Sequence, residues 1–175
     1  MNFSNVSTLC AGAFHDNASI VDVCLKNSIN RFNIDKGAFT KSGISSITVD
    51  VSSINGSTSI SGYGLQDSPA LQKVTYTSKV RAIAPSAFLD TAGPLTCICF
   101  SPSLTSIGSY AYAEMYERFP RLENVNFSDC TKLSVIQDYA FYNAIKDMPS
   151  STLLLPSSLL SIGDAAFAYR DVAWT

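Results

Sequence analysis

Charged side chains are scarce in this 175-residue chain. Asp, Glu, Lys and Arg make up 15% of the residues, against about a quarter in an average soluble protein, and the formal net charge is −2. Lys and Arg do not cluster, so the basic stripe that nucleic-acid binding requires is missing. No apolar run approaches the ~20 residues of a membrane span, which argues against membrane insertion. The 46% hydrophobic content excludes a disordered chain.

Residues with catalytic or metal-binding chemistry are also few. His15 is the only histidine, no G-x-S-x-G or comparable nucleophile motif occurs, and Gly62-x-Gly64 lacks the remaining glycine of a dinucleotide-binding motif. The five cysteines are odd in number and irregularly spaced, which argues against a disulfide framework. Cys97-x-Cys99 brings two thiols onto one face of a strand, but zinc requires four ligands. We therefore predict no enzymatic activity, no cofactor and no metal site.

A nine-residue motif recurs along the whole chain. It is clearest at residues 104–112 (LTSIGSYAY) and 159–167 (LLSIGDAAF), and it consists of an aliphatic residue, two free positions, Ile or Leu, three free positions, then Ala and an aromatic residue. Successive copies are 23–29 residues apart, a period typical of solenoids. We predict one solenoid domain of about seven units over residues 1–175, which could be part of a longer array. The Ala or Gly of the seven copies is Ala13, Ala38, Gly64, Ala87, Ala111, Ala140 and Ala166.

The segments between the motifs alternate apolar and polar residues, which predicts short strands with one buried face. The Ile-x-x-x-Ala-Phe part of the motif has helical spacing and predicts short helices or 3₁₀ turns on the opposite side. Longer helices are expected within Tyr112–Leu122 and Phe141–Leu153, and looser packing is expected around the degenerate copy at Ser57–Leu65. The predicted strands lie within Ile20–Leu25, Ile44–Val49, Leu71–Tyr76, Leu95–Phe100 and Leu122–Phe127, with a sixth at Thr152–Pro156.

The motifs at residues 104–112 and 155–167 resemble the leucine-rich repeats of the BspA-like, or Treponema-pallidum-type, class. Such repeats occur in surface and adhesion proteins of bacteria and of protist parasites. The resemblance implies an α/β solenoid with a right-handed course, parallel strands on the concave side, and a protein-binding or adhesion role at the cell surface. Residues Met1–Asn5 lack the basic and apolar regions of a signal peptide, which instead favours an intracellular protein or an excised part of a longer chain.

The residues between the inward-facing strand positions should form a polar row on the concave face. Solenoids commonly bind partners through such a surface, so we predict a protein-binding face here; the alternative is a merely solvated sheet. The predicted ligand-binding residues are Asp22, Lys26, Ser46, Thr48, Asp50, Lys73, Thr75, Thr77, Asn124, Asn126 and Ser128.

Aromatic residues gather in the C-terminal half and suggest a second surface. Tyr116, Tyr142, Tyr169 and Trp174 are predicted interface residues, because Tyr and Trp are favoured at interfaces and solenoid ends expose apolar edges. This pattern supports an alternative hypothesis, an intracellular scaffold that forms a homodimer through its aromatic C-terminal edge.

Overall fold

Two sets of parallel strands form the solenoid. The computed structural model describes residues 1–4, 6–26, 33–35, 37–50, 65, 68–77, 80–83, 85–89, 95–113, 122, 124–145 and 153–168. In these residues five of the six longer strands are followed by a strand of two residues. The strands are β1 (Asn2–Ser4), β2 (Thr8–Leu9), β3 (Asp22–Lys26), β4 (Asn33–Ile34), β5 (Ser46–Asp50), β6 (Lys73–Tyr76), β7 (Ala82–Ile83), β8 (Cys97–Cys99), β9 (Ser106–Ile107), β10 (Asn124–Asn126), β11 (Val135–Ile136) and β12 (Ser161–Ile162).

The longer strands form one six-stranded parallel sheet, which we call the long sheet, in the order β1-β3-β5-β6-β8-β10. The two-residue strands pair in parallel on the other side, as β2-β4 and as β12-β11-β9-β7. A coil in which both strands are described therefore contributes one strand to each side, whereas β12 follows β11 with no longer strand described between them. The stack of coils predicted from the repeat is confirmed, whereas the count of seven units stays a prediction because most of the Ser57–Leu65 copy lies outside the described residues.

Five of the predicted strands are confirmed with the predicted face buried. Their inward side chains are at most 8% exposed, as the alternation required. β1 was missed, because Phe3 is its only apolar residue and a single apolar position shows no alternation. The strand predicted at Thr152–Pro156 is wrong over its described part, residues 153–156, which form no strand. Pro156 has no N–H for a ladder, and Leu154 is 65% exposed. The inward residues are Val23, Leu25, Ile47, Val49, Val74, Tyr76, Ile98, Phe100, Val125 and Phe127.

The helices or 3₁₀ turns predicted for the repeated motif are wrong in the described part of the chain, where stacked turns replace them. The residue before the Ala adopts a left-handed backbone conformation in six copies, with φ between 51° and 69°, and such a residue interrupts a right-handed helix. These residues are Gly12, Gly37, Ser86, Tyr110, Tyr139 and Ala165. Most of the longer helices predicted within Tyr112–Leu122 and Phe141–Leu153 lies outside the described residues.

The turns stack because their backbone N–H groups alternate between two kinds of partner. The Ala140 N–H donates within its own coil to the Gln137 carbonyl at 3.3 Å, whereas the Phe141 N–H donates to the Ala166 carbonyl of the next coil at 2.7 Å. The same alternation recurs in the copies around Ala13 and Ala111. Neighbouring coils are therefore joined at the motif by a ladder of backbone hydrogen bonds.

Aromatic rings fill the core in two ladders. One consists of the motif's aromatic residues, Phe88, Tyr112, Phe141 and Phe167, with centroids of successive rings 4.8–5.2 Å apart and nearly parallel planes. The other runs along the long sheet, where Phe100 stacks on Phe127 at 4.9 Å. The two ladders meet edge to face, as in the contact of Phe100 with Tyr112 at 6.1 Å. Such contacts add to the free energy gained by burying the rings. The Ala and aromatic residues of the inner copies belong to the core, whereas Ala13 of the first coil is exposed.

Candidate ligand-binding face

The outward side chains of the long sheet form two rows across the strands, because the parallel register aligns equivalent positions. The first row contains Asp22, Ser46, Lys73 and Cys97, and the backbone of Asn124 lies next in register. The second contains Cys24, Thr48, Thr75, Cys99 and Asn126. We call the two rows together the outer face. With the strands about 4.8 Å apart, each row spans on the order of 20 Å.

Hydrogen bonds between neighbouring strands hold several of the predicted ligand-binding side chains. The Ser46 hydroxyl donates to the Asp22 carboxylate at 2.5 Å. Below the second row, the Thr77 hydroxyl lies 2.9 Å from an Asp50 carboxylate oxygen and 3.1 Å from the Val49 carbonyl. Both carboxylates are therefore held by a hydroxyl of the next coil, which fixes where negative charge is displayed.

The end of the outer face formed by β10 carries amide and hydroxyl groups. The Asn126 side-chain carbonyl accepts the Ser128 backbone N–H at 2.8 Å, which closes the turn after the strand and fixes the orientation of the amide. Both side chains are exposed. The backbones of Lys26 and Asn124 occupy their predicted register positions.

Ser101, which continues the outward alternation of β8 in the sequence, does not reach the outer face. It is fully buried, and its hydroxyl accepts the Ser103 N–H at 3.1 Å. Its carbonyl accepts the Cys130 thiol at 3.6 Å. Burial, and secondarily the charge of Asp129, raises the pKa of the Cys130 thiol to about 11. The outer face therefore ends at Cys99 on this strand.

Many of the hydroxyls that make the sequence rich in Ser and Thr satisfy the backbone instead of facing a ligand. The Thr105 hydroxyl donates to the Arg81 carbonyl at 2.8 Å, and the Ser134 hydroxyl donates to the Thr105 carbonyl at 3.2 Å. Each of these bonds joins one coil to the coil before it. Part of the chain's Ser and Thr hydroxyls therefore serves to bond one coil to another.

A pocket opens beside β8 on the outer face. Its volume is about 320 Å³, and Cys97, Cys99, Asn126 and Asp129 are among its lining residues. The sulfurs of Cys97 and Cys99 lie 3.9 Å apart. Partial burial raises the pKa of Cys97, the neighbouring Cys99 thiol raises it further, and Lys73 opposes the shift. Sequence reasoning missed Asp129, because its turn position carries no motif.

The predicted aromatic interface is described only in part. The ring of Tyr142 is half-buried and meets Tyr139 edge to face at 5.5 Å, and Tyr139 in turn stacks on Tyr110 at 4.8 Å. Tyr116, Tyr169 and Trp174 lie outside the described residues. The last described coil does leave an apolar surface, because Leu160 is 85% exposed and Ile162 is 46% exposed.

The described residues offer little for catalysis or for metals that need several ligands. His15 is exposed and its Nδ1 lies 2.9 Å from the adjacent Asp16 carboxylate, on the first turn. Within the described ranges, no three or more His, Cys, Asp and Glu residues cluster as a metal site. The same residues include no helix long and apolar enough to cross a membrane.

Comparison with known families identifies the repeat. The family model of the BspA type leucine rich repeat region matches six copies, over residues 1–117 and 33–172. The chain belongs to this family. Its membership confirms the resemblance drawn from the motifs, and members of this repeat class are typically non-catalytic interaction modules. No curated protein and no solved structure matches the chain.

Proposed function

We propose that this leucine-rich-repeat chain is an adhesion module that binds a protein on a cell surface or in the extracellular matrix through its outer face. The observation that carries the proposal is the alignment of polar side chains in two rows across the long sheet. The sheet supplies rigid positions, while the hydroxyl, amide and carboxylate groups can form hydrogen bonds with a protein surface. The mixture of Asp and Lys favours a polar partner without a large net charge.

The second row provides the test, because Thr48, Thr75 and Asn126 lie on three different strands of one register row. The triple variant Thr48→Arg/Thr75→Arg/Asn126→Arg should bind cultured host cells and immobilised matrix proteins at least about tenfold more weakly than wild type, since bulky like charges would fill the row. Thr8→Arg/Ser106→Arg/Ser161→Arg is the matched control, because these residues occupy outward positions on the short strands of the other side. Melting temperatures of all three proteins establish that the fold is intact.

Loss of binding by the outer-face variant alone supports the proposal. Equal binding by all three proteins would contradict it, and so would equal loss in both variants. Absence of binding by the wild type to every surface tested would direct attention to the second candidate function below.

The second candidate is a scaffold that self-associates through its C-terminal end. It is favoured by the exposure of Leu154, Leu160 and Ile162 on the last described coil, because apolar edges of this kind pair with a second copy. Sedimentation over a range of concentrations should then show dimers that Leu160→Ser/Ile162→Ser abolishes. A mass that stays monomeric at all concentrations would eliminate this candidate. Trp174→Ser extends the test to the interface predicted from sequence.

A further inference from the structure

The geometry points to a binding site for a soft, thiophilic metal ion, Cu(I) in particular, between the thiols of Cys97 and Cys99. This site is independent of the proposed adhesion function, although it lies on the same face of the long sheet. Both side chains are accessible, Cys97 partly and Cys99 more fully, and both line the open pocket of about 320 Å³.

The separation of the two sulfurs fits two ligands of one ion. A metal–thiolate bond of about 2.3 Å gives sulfurs ~3.8 Å apart at a tetrahedral angle and ~4.0 Å apart at a trigonal angle. The sulfurs of Cys97 and Cys99 are 3.9 Å apart, between these two values. An ion could therefore enter with only small movements of the side chains.

The same separation disfavours a disulfide. A disulfide needs sulfurs about 2.05 Å apart and Cβ atoms about 3.8 Å apart. Residues two apart on an extended strand have Cα atoms roughly 6.6 Å apart, near the upper limit for a disulfide. Closing the bond would bend β8, which is held by β6 on one side and β10 on the other. The flanking strands thus keep the thiols at the spacing of metal ligands.

The number of ligands selects the kind of ion. Structural zinc takes four protein ligands, and no cluster of three or more His, Cys, Asp and Glu occurs in the part of the chain that the structure describes. Soft thiolate ligands suit Cu(I), zinc and iron–sulfur clusters, and two thiols are too few for a structural zinc or an iron–sulfur cluster. In the binding step two thiols and one Cu(I) give a bis-thiolate complex and two protons, with no change of oxidation state. A small ligand from solution, such as chloride or a thiol, enters the pocket and binds the ion as its third ligand, which gives trigonal coordination.

The charges around the pair partly offset one another. The complex of one Cu(I) with two thiolates carries one negative charge. Lys73, which shares the register row of Cys97 on β6, therefore favours the complex, whereas Asp129, which lines the pocket, opposes it. Lys73→Gln should weaken binding and Asp129→Asn should strengthen it, both by less than removal of a thiol, because neither residue is a ligand.

The test is anaerobic titration of the reduced full chain with Cu(I), supplied as its acetonitrile complex, in competition with the chromophoric chelator bicinchoninate. Wild type should take up one copper ion per chain. Cys97→Ser and Cys99→Ser should each lose more than the roughly 10–100-fold in affinity that loss of an outer-shell partner costs. Cys24→Ser is the matched control, because Cys24 lies on the same outer face as a single thiol; its variant should bind like wild type.

A second measurement uses wild type alone and does not depend on the variants folding. Iodoacetamide treatment of the copper-loaded protein, followed by peptide mass spectrometry, should show Cys97 and Cys99 protected while Cys10 and Cys24 are alkylated. Failure of wild type to compete with bicinchoninate would overturn the proposal. So would uptake of half an equivalent with dimer formation, uptake by the Cys97→Ser or Cys99→Ser variant equal to that of wild type, or protection of a different pair of thiols.

Discussion

The phenolic oxygens of Tyr76 and Tyr112 lie 3.0 Å apart in the core and share a hydrogen bond. Tyr76 comes from the long sheet and Tyr112 from the motif's aromatic ladder, so the bond joins the two sides of the solenoid. Burial raises the pKa of Tyr76, although its hydrogen bond to Tyr112 acts in the opposite direction. Burial also raises the pKa of Tyr112. The charge of Tyr76 and the hydrogen bond with Tyr76 raise it further.

This pair predicts strongly non-additive mutations. Tyr76→Phe or Tyr112→Phe alone should cost about 1–3 kcal/mol of unfolding free energy, because the remaining hydroxyl is buried without its partner. The double variant should be close to wild type in stability. Urea denaturation of the four proteins measures the coupling. Simple additivity of the two single effects would show that the hydroxyls do not bond to each other.

The buried aromatic ladder predicts a large effect at Phe141, which stacks on Tyr112 and on Phe167. Phe141→Ala should destabilise the chain by about 3–5 kcal/mol, since it opens a cavity in the continuous core. Leu160→Ala is the control, because its side chain is 85% exposed; its effect should stay within about 0.5 kcal/mol. Thermal or urea unfolding gives both values. Similar destabilisation by Phe141→Ala and Leu160→Ala would contradict the central place of the aromatic ladder in the core.

Two buried serines should respond in opposite ways to replacement by Ala. In the described residues the Ser42 hydroxyl has no hydrogen-bond partner, whereas the Ser101 hydroxyl accepts the Ser103 N–H. Ser42→Ala should leave stability unchanged or raise it by about 1 kcal/mol, because it removes an unsatisfied polar group. Ser101→Ala should lower stability by about 1 kcal/mol. Equal losses of stability in the two variants would contradict the conclusion that the Ser101 hydroxyl is hydrogen-bonded and the Ser42 hydroxyl is not.

The Cys130 thiol predicts a loss of stability at alkaline pH. Its pKa of about 11 in the folded chain exceeds the ~8.5 of an exposed thiol, so the unfolded state loses the proton first. The stabilisation is complete below about pH 8.5 and disappears as the pH rises through about 11. Urea midpoints at about pH 8 and pH 10.5 should therefore fall less in Cys130→Ala than in wild type, although the variant is less stable at the lower pH. An equal fall of the urea midpoint in wild type and in Cys130→Ala would contradict this role of Cys130.

The sequence predicted the parts of the fold that rest on period and alternation. The repeat of Ala-Phe identified the coils, and the alternation through Val23 and Leu25 identified the buried face of β3, because both patterns follow from packing of apolar side chains. The two-residue strands such as β9 were missed, because two residues cannot display a period. The turns were mistaken for helices because the left-handed conformation of Ser86, Tyr110 and Tyr139 is uncommon for such residues and leaves no compositional signal.

The candidate sites, too, were predicted from the sequence only in part. Alternation alone placed Thr48 and Thr75 on the outer face, and the parallel register then aligned them in one row. The spacing of Cys97 and Cys99 suggested two thiols on one side but not the distance between their sulfurs. Asp129 joined their pocket through the turn after β10, a position that depends on tertiary packing. Which residues of the outer face bind a partner stays a prediction.

The most direct test of the proposed function is a hydrogen-exchange footprint of the wild-type chain bound to the immobilised matrix protein that retains it best. The account predicts slower exchange in residues 46–50, 73–77, 97–99 and 124–128 on the long sheet. Residues 8–9, 106–107 and 161–162 on the short strands should exchange as in the free chain. Protection confined to the short strands or to residues 153–168 would contradict binding through the outer face.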